Sequence, residues 1–100
     1  LEMPELKAAM YNNIGLLEKR QKVWEAAMRH FRKAAEIAEK GNATLQLAQA
    51  HRYTGEVFLG TQDVEQARPF FQQAIALYKQ LKQNREVEAI ERQLRQCETS

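Results

Sequence analysis

Apolar residues recur every three or four positions in five successive stretches of the chain, the spacing of one face of an α-helix. Leu6, Met10, Ile14 and Leu17 mark the first stretch, spaced four, four and three. They predict a helix over residues 5–19, with Pro4 in its first turn, where the missing N–H costs nothing. Ala27, Phe31, Ala34 and Ala38 give the inner face of a second helix over 23–40. Gly41-Asn42 is expected to stop it, because Gly tolerates the left-handed conformation at a helix C-terminus. A third helix is predicted over 43–59, ended by Gly60. A fourth starts at Asp63, with Gln66 three positions on as a capping-box partner. It carries Val64, Ala67, Phe71, Ala74, Ile75 and Tyr78 on its apolar side and runs to about residue 82. Pro69 lies inside it and predicts a local bend. Val87, Ile90, Leu94 and Cys97 mark a fifth helix over 85–97. The short connections make successive helices antiparallel.

The pattern also repeats. Ala8, Gly15, Glu25, Ala27, Phe31 and Ala34 are matched, at one fixed offset, by Ala48, Gly55, Glu65, Ala67, Phe71 and Ala74. An offset of this length is the mark of one supersecondary unit copied along a solenoid. Each unit must stack to bury its apolar face, and stacking creates an extended surface suited to binding. Gly15 and Gly55 fall mid-helix, where Gly costs about 1 kcal/mol relative to Ala. A cost incurred twice implies that two helix backbones approach closely there, with Ala27 and Ala67 as small partners. Phe31 and Phe71 then fill the space between one hairpin and the next.

Composition agrees with an all-α chain: 44% of residues are hydrophobic, with only four Gly and two Pro in 100. The formal net charge of +2 falls short of the concentrated positive charge of a dedicated nucleic-acid binder. No apolar run approaches the roughly 18 residues that a membrane-spanning helix needs, and no secretory signal is visible. The single Cys97 excludes an internal disulfide framework and fits a reducing, cytoplasmic compartment. A chain that opens on Leu1-Glu2 rather than Met reads as a piece of a longer protein, forming one domain over 1–100.

The runs Tyr11-x-x-Ile14-Gly15 and Ala27-x-x-x-Phe31-x-x-Ala34 resemble a tetratricopeptide (TPR) repeat. A second copy reads His51-x-x-Thr54-Gly55-x-x-Phe58 and Ala67-x-x-x-Phe71-x-x-Ala74. The period exceeds the roughly 34 residues usual for that family. The segment from Leu77 to Ala89 is similar to the junctions of long TPRs in Pins-like polarity adaptors and kinesin light chains. The resemblance implies a TPR-like α-solenoid of two helix-turn-helix repeats, over 5–41 and 43–82, and a C-terminal helix over 85–97 that is either a capping helix or the start of a truncated third repeat. It also implies a non-enzymatic adaptor that binds a partner peptide in a concave groove lined by the first helix of each repeat. The groove positions fall on Ala9, Asn12, Asn13, Leu16, Lys19 and Arg20, then on Gln49, Arg52, Tyr53, Glu56 and Leu59, with Arg92 and Gln96 extending them. This set suits a peptide: Asn amides satisfy a ligand's backbone, Arg and Lys attract acidic groups, and Tyr53 offers an apolar face with a polar tip.

Other chemistries find little support. Arg29-His30-x-Arg32-Lys33 is a solvated outer face, with Phe31 turned into the core. His30 and His51 are well separated in the chain, with no Cys or carboxylate at metal-ligand spacing, so neither metal nor cofactor is expected. Glu36, Glu39, Glu86, Glu88 and Glu91 read as ordinary surface carboxylates, and Cys97 as a bystander thiol. Trp24 is expected to pack on the first helix, or else to anchor a partner. The alternative to a peptide-binding module is a structural one. Two repeats are fewer than the usual three, and exposed ends carrying Met3, Leu6, Ile90 and Leu94 would then join copies into a homo-oligomer. A regulatory arm of a larger multidomain protein is the remaining reading.

Overall fold

A computed structural model describes the backbone of residues 3–99 and the side chains of residues 3–96. Leu1, Glu2 and the Cys97 side chain, the last a predicted apolar position and thiol, lie outside the described set. Five helices follow one another: α1 (Pro4–Arg20), α2 (Trp24–Lys40), α3 (Thr44–Gly60), α4 (Val64–Gln80) and α5 (Asn84–Thr99). The first four are each 17 residues long. Each packs on the next in an antiparallel zigzag, and α1 also touches α3. The fold is all-α, as the periodicity predicts. α4 stays helical through Pro69.

The four turns are alike. Each places one residue in the left-handed region: Lys22 at φ 62°, Asn42 at 55°, Gln62 at 63° and Lys82 at 58°. The N–H that follows reaches back into the last turn of the helix. Val23 donates to the Glu18 carbonyl at 2.9 Å, Ala43 to Ala38 at 2.8 Å, Asp63 to Phe58 at 2.8 Å and Gln83 to Tyr78 at 3.0 Å. This is the Schellman pattern, which satisfies carbonyls left open at a helix end. It corrects the expected role of Gly41, which sits at φ −94°; Asn42 takes the left-handed position instead. It also alters the capping box. Asp63 accepts from the Gln66 N–H at 3.3 Å, but its own N–H is committed to Phe58. The Gln66 amide therefore turns to the Asp63 carboxylate at 2.5 Å.

The glycines make room for side chains. A methyl on Gly15 would lie 2.6 Å from the Phe31 ring, and one on Gly55 would lie 2.8 Å from Phe71. Gly60 receives Trp24, 2.5 Å from where its Cβ would be, and Gly41 receives Pro4. Trp24 thus packs on α3. Phe31 and Phe71 are fully buried, as are Ala27, Ala34, Ala67 and Ala74.

The apolar stripe of α1 is turned outward. Met3, Leu6, Met10, Ile14 and Leu17 are 36–61% exposed, while Ala8, Asn12 and Gly15 face the rest of the fold. The register that carries Ala8 onto Ala48 explains why. In α3 the positions equivalent to Met10, Ile14 and Leu17 are Ala50, Thr54 and Val57, all buried. Ala50 packs with Ala34 and Ala38, and Val57 with Ala27 and Phe31, all from α2. No described helix stands before α1 to play that part. At the other end Ile90 is fully buried and Val87 nearly so, packed with Ala74 and Tyr78 of α4. This corrects the expectation that Ile90 lies open.

Gly15→Ala and Gly55→Ala should each destabilise the fold by about 1–3 kcal/mol, the cost of overpacking a filled site. That outweighs the roughly 1 kcal/mol gained in helix propensity. Urea denaturation reads the change, and a raised midpoint for either variant would refute the seating of the Phe rings.

Candidate functional site

α1, α3 and α5, the first members of successive hairpins, present one common face. Their side chains meet there in a polar network. Lys19 Nζ of α1 lies 2.9 Å from Glu56 Oε1 of α3. Arg52, one turn before Glu56, reaches it at 3.4 Å, the favourable (i, i+4) spacing of a helix surface. Arg52 Nη1 also donates to Glu86 of α5 at 2.8 Å, and its Nε donates to Gln93 Oε1 at 3.3 Å. Gln93 Nε2 closes the ring by donating to Glu56 Oε2 at 2.9 Å. Lys19, Arg52 and Glu56 are about one-fifth exposed and Glu86 about two-fifths. Isolated surface pairs contribute little, but a network spares part of the entropy of fixing each long side chain.

The aromatic floor lies beside this network. Tyr53 tilts on Phe31 with ring centroids 5.4 Å apart. Burial raises its hydroxyl pKa above the usual value; Glu56 adds to that, and Arg52 and Arg20 work against it. Burial likewise pushes Tyr78 up to about 12, with Arg52 opposing. Both phenols therefore stay neutral donors across the physiological range.

The predicted groove residues are only partly gathered here. Lys19, Arg52, Tyr53 and Glu56 are brought together, and Arg20 lies close enough to be felt at Tyr53. Ala9, Leu16, Gln49 and Leu59 are half-buried; Asn13 and Gln96 are exposed. Asn12 is not available to a ligand. It is 2% exposed, and its Nδ2 donates to the Gln46 carbonyl at 3.1 Å, tying α1 to α3. Its Oδ1 is buried without a partner among the described residues. Sequence reasoning missed Gln93 and treated Glu86 as an ordinary surface carboxylate. Gln93 stands one repeat after Tyr53 and two after Asn13, so carrying the register into the fifth helix would have found it.

A recess of about 440 Å³ between α2 and α3 is lined by Trp24, Met28, Val57 and Phe58, with Glu25, Arg29 and Arg32 among its polar residues. Phe70 stacks on Phe58 at 5.7 Å and tilts on His51 at 5.9 Å. Burial lowers the pKa of His51, with the charge of Glu39 partly restoring it. His30 is held by Glu18 at 2.6 Å and the Ala26 carbonyl at 3.0 Å. Among the described residues no three metal-ligating side chains converge. No described helix is long and apolar enough to cross a membrane.

Helices of matched length, paired antiparallel through like turns and repeating in side-chain pattern every second helix, define an α-solenoid of helix-turn-helix units. The family model described as tetratricopeptide repeat matches residues 6–80, and the chain belongs to that family. TPR repeats generally mediate protein–protein interaction. Neither the curated proteins nor the solved structures contain a match to the chain.

His51 supplies a pH test. The unfolded chain takes up a proton near the ordinary value of 6.5, and burial makes the fold resist it. The stability is therefore fully present above that value and falls as pH drops below it. The melting temperature of the protein should decline from pH 7.5 to pH 5, and His51→Phe should make that decline shallower. An unchanged decline in the variant would show that His51 is not the group responsible.

Proposed function

We propose that this TPR module is non-enzymatic and receives an extended or helical segment of a partner protein along the face built by α1, α3 and α5. The observation that supports this most is the cluster of Lys19, Arg20 and Arg52 around Tyr53, with Glu56 and Glu86 already lodged among them. An acidic side chain or a C-terminal carboxylate of the partner exchanges with Glu86, the more exposed acid, for the Arg52 guanidinium. Arg suits that exchange because its fork binds a carboxylate bidentately. Arg20 and Asn13 make the outer contacts, and Tyr53 and Leu16 supply apolar area. Asn12 serves the junction of α1 and α3 instead. The electrostatic part of such recognition steers encounter and selects partners more than it adds affinity. A lone cysteine fits a cytoplasmic setting for this binding.

Fluorescence anisotropy with labelled acidic, neutral and basic peptides of equal length tests the reading. Acidic peptides should bind most tightly and lose affinity as salt rises. Arg52→Ala should weaken them by roughly tenfold, about 1.4 kcal/mol, with the helical circular dichroism spectrum intact. Glu86→Gln, which removes the internal competitor, should strengthen them. Equal binding of all three peptide classes, unmoved by either substitution, would refute the assignment.

A further inference from the structure

The junction between the two hairpins holds a recess that the α1–α3–α5 face does not use. Its volume of about 440 Å³ falls in the range of ligand-binding clefts. It is lined by α2 of the first hairpin and α3 of the second, so it lies inside the array and not at an open end. Met28 and Arg32 also line a narrower cleft that carries on from it to Ala35, His51 and Phe70. From Trp24 to Ala35 the groove runs about 16 Å, at 1.5 Å per helical residue. That length suits a stretch of chain better than a compact small molecule. At 100° per residue, His51, Thr54 and Phe58 stand about half a turn round α3 from Arg52, Tyr53 and Glu56. The recess and the polar network thus occupy different sides of that helix.

The lining is both apolar and charged. Trp24 is held by the notch at Gly60, and Met28 and Phe58 stand with it over Val57. A wall fixed in advance leaves less ordering entropy for binding to overcome. Arg29 and Arg32 are three residues apart on α2, the spacing that makes helix side chains neighbours. Both are exposed, and neither is paired with an acid among the described residues. In this they differ from Lys19 and Arg52, which already hold Glu56 and Glu86. Glu25 is the one acid in the lining, which leaves the recess net positive. Trp, Met and Arg are the residue types that concentrate at the energetic centres of protein interfaces. The repeat sharpens the point. Ala27, Phe31 and Ala34 recur as Ala67, Phe71 and Ala74, whereas Trp24, Met28, Arg29 and Arg32 give way to Val64, Arg68, Pro69 and Gln72. A hairpin is built equally well with either set, so hairpin packing does not account for the cluster.

We infer that this recess is a second docking site, for a partner-protein segment that sets a bulky apolar side chain between Trp24 and Phe58 and an acidic one against Arg29 and Arg32. The two guanidiniums are unpaired, so the incoming carboxylate displaces no internal acid. Trp24 is the only tryptophan in the chain, and its fluorescence therefore reports the recess directly. The probe is a short capped peptide with two leucines between aspartates, titrated in an Arg52→Ala background so that the other face does not contribute. It should shift the Trp24 emission to the blue and saturate. Counterparts with serine for leucine, or lysine for aspartate, should bind more weakly by about tenfold or more, the first from lost apolar burial and the second from like-charge contact. Arg29→Glu and Arg32→Glu, at exposed positions, should each weaken the leucine–aspartate peptide by about tenfold or more with the helical circular dichroism spectrum kept. A Trp24 emission that the peptide does not move, equal affinity for the serine counterpart, or binding indifferent to both Arg substitutions would each overturn the proposal. So would a medium-chain fatty acid that binds more tightly than the peptide, or a rise in mass by light scattering that the Arg variants abolish, which would give the recess to a small amphiphile or to a second copy. None of these outcomes bears on the α1–α3–α5 face, whose own test follows Arg52 and Glu86.

Discussion

The seating of a phenylalanine ring in the notch left by a glycine is the contact on which the rest of this fold turns. Phe31 occupies the notch at Gly15, and Phe71 the notch at Gly55. Each ring fixes the register between the two helices of its own hairpin. Phe31 also lies against Tyr53, so the same ring sets where the second hairpin sits on the first. Interiors are packed to crystal-like density, and a ring held on all sides transmits position rather than absorbing error. The alignment of α1 with α3, and hence the meeting of Lys19 with Glu56, follows from that seating.

Much of this was legible in the sequence because Gly and Phe recur at one offset. All five helices, their order and their antiparallel pairing follow from periodicity and turn spacing. Exposure of Met3 and Leu6 was among the readings the sequence offered, but its extension through Met10, Ile14 and Leu17 was not legible. Periodicity shows that a helix has an apolar face but not what lies against it, and Leu6, Met10, Ile14 and Leu17 look identical whether covered or bare. The turns were misread because left-handed backbone suggests Gly, while here Lys22, Asn42, Gln62 and Lys82 hold it. The extra hydrogen bonds of each turn offset the roughly 1–2 kcal/mol that such a residue costs.

The candidate face was legible residue by residue but not as a network. Lys19, Arg52 and Glu56 each lie at positions that the family resemblance singles out, yet their mutual charge balance needs three helices to be placed in space. Two cations and two acids converge, and Gln93 bridges them through both ends of its amide. A face balanced in this way is not a bare attractor for any anion. A ligand must replace a contact that already exists, which sharpens discrimination between partners at some loss of raw affinity. Asn12 shows the converse: a polar residue at a ligand-facing position in the family register, spent here on holding two hairpins together.

The like turns at Lys22, Asn42, Gln62 and Lys82 give the backbone a period of one helix and one turn, half the period of the side chains. Backbone geometry alone therefore does not distinguish the first helix of a pair from the second; only the alternation of Gly notch and Phe ring does. Gain or loss of a two-helix block cut at any turn restores the same alternation, so array length can change by whole hairpins without a new joint having to be invented. A block of one helix and its turn would rejoin just as smoothly through the backbone and yet set ring against ring. The chain's modularity is thus written in its side chains, while its turns serve as interchangeable couplings that leave their own surface residues open to vary.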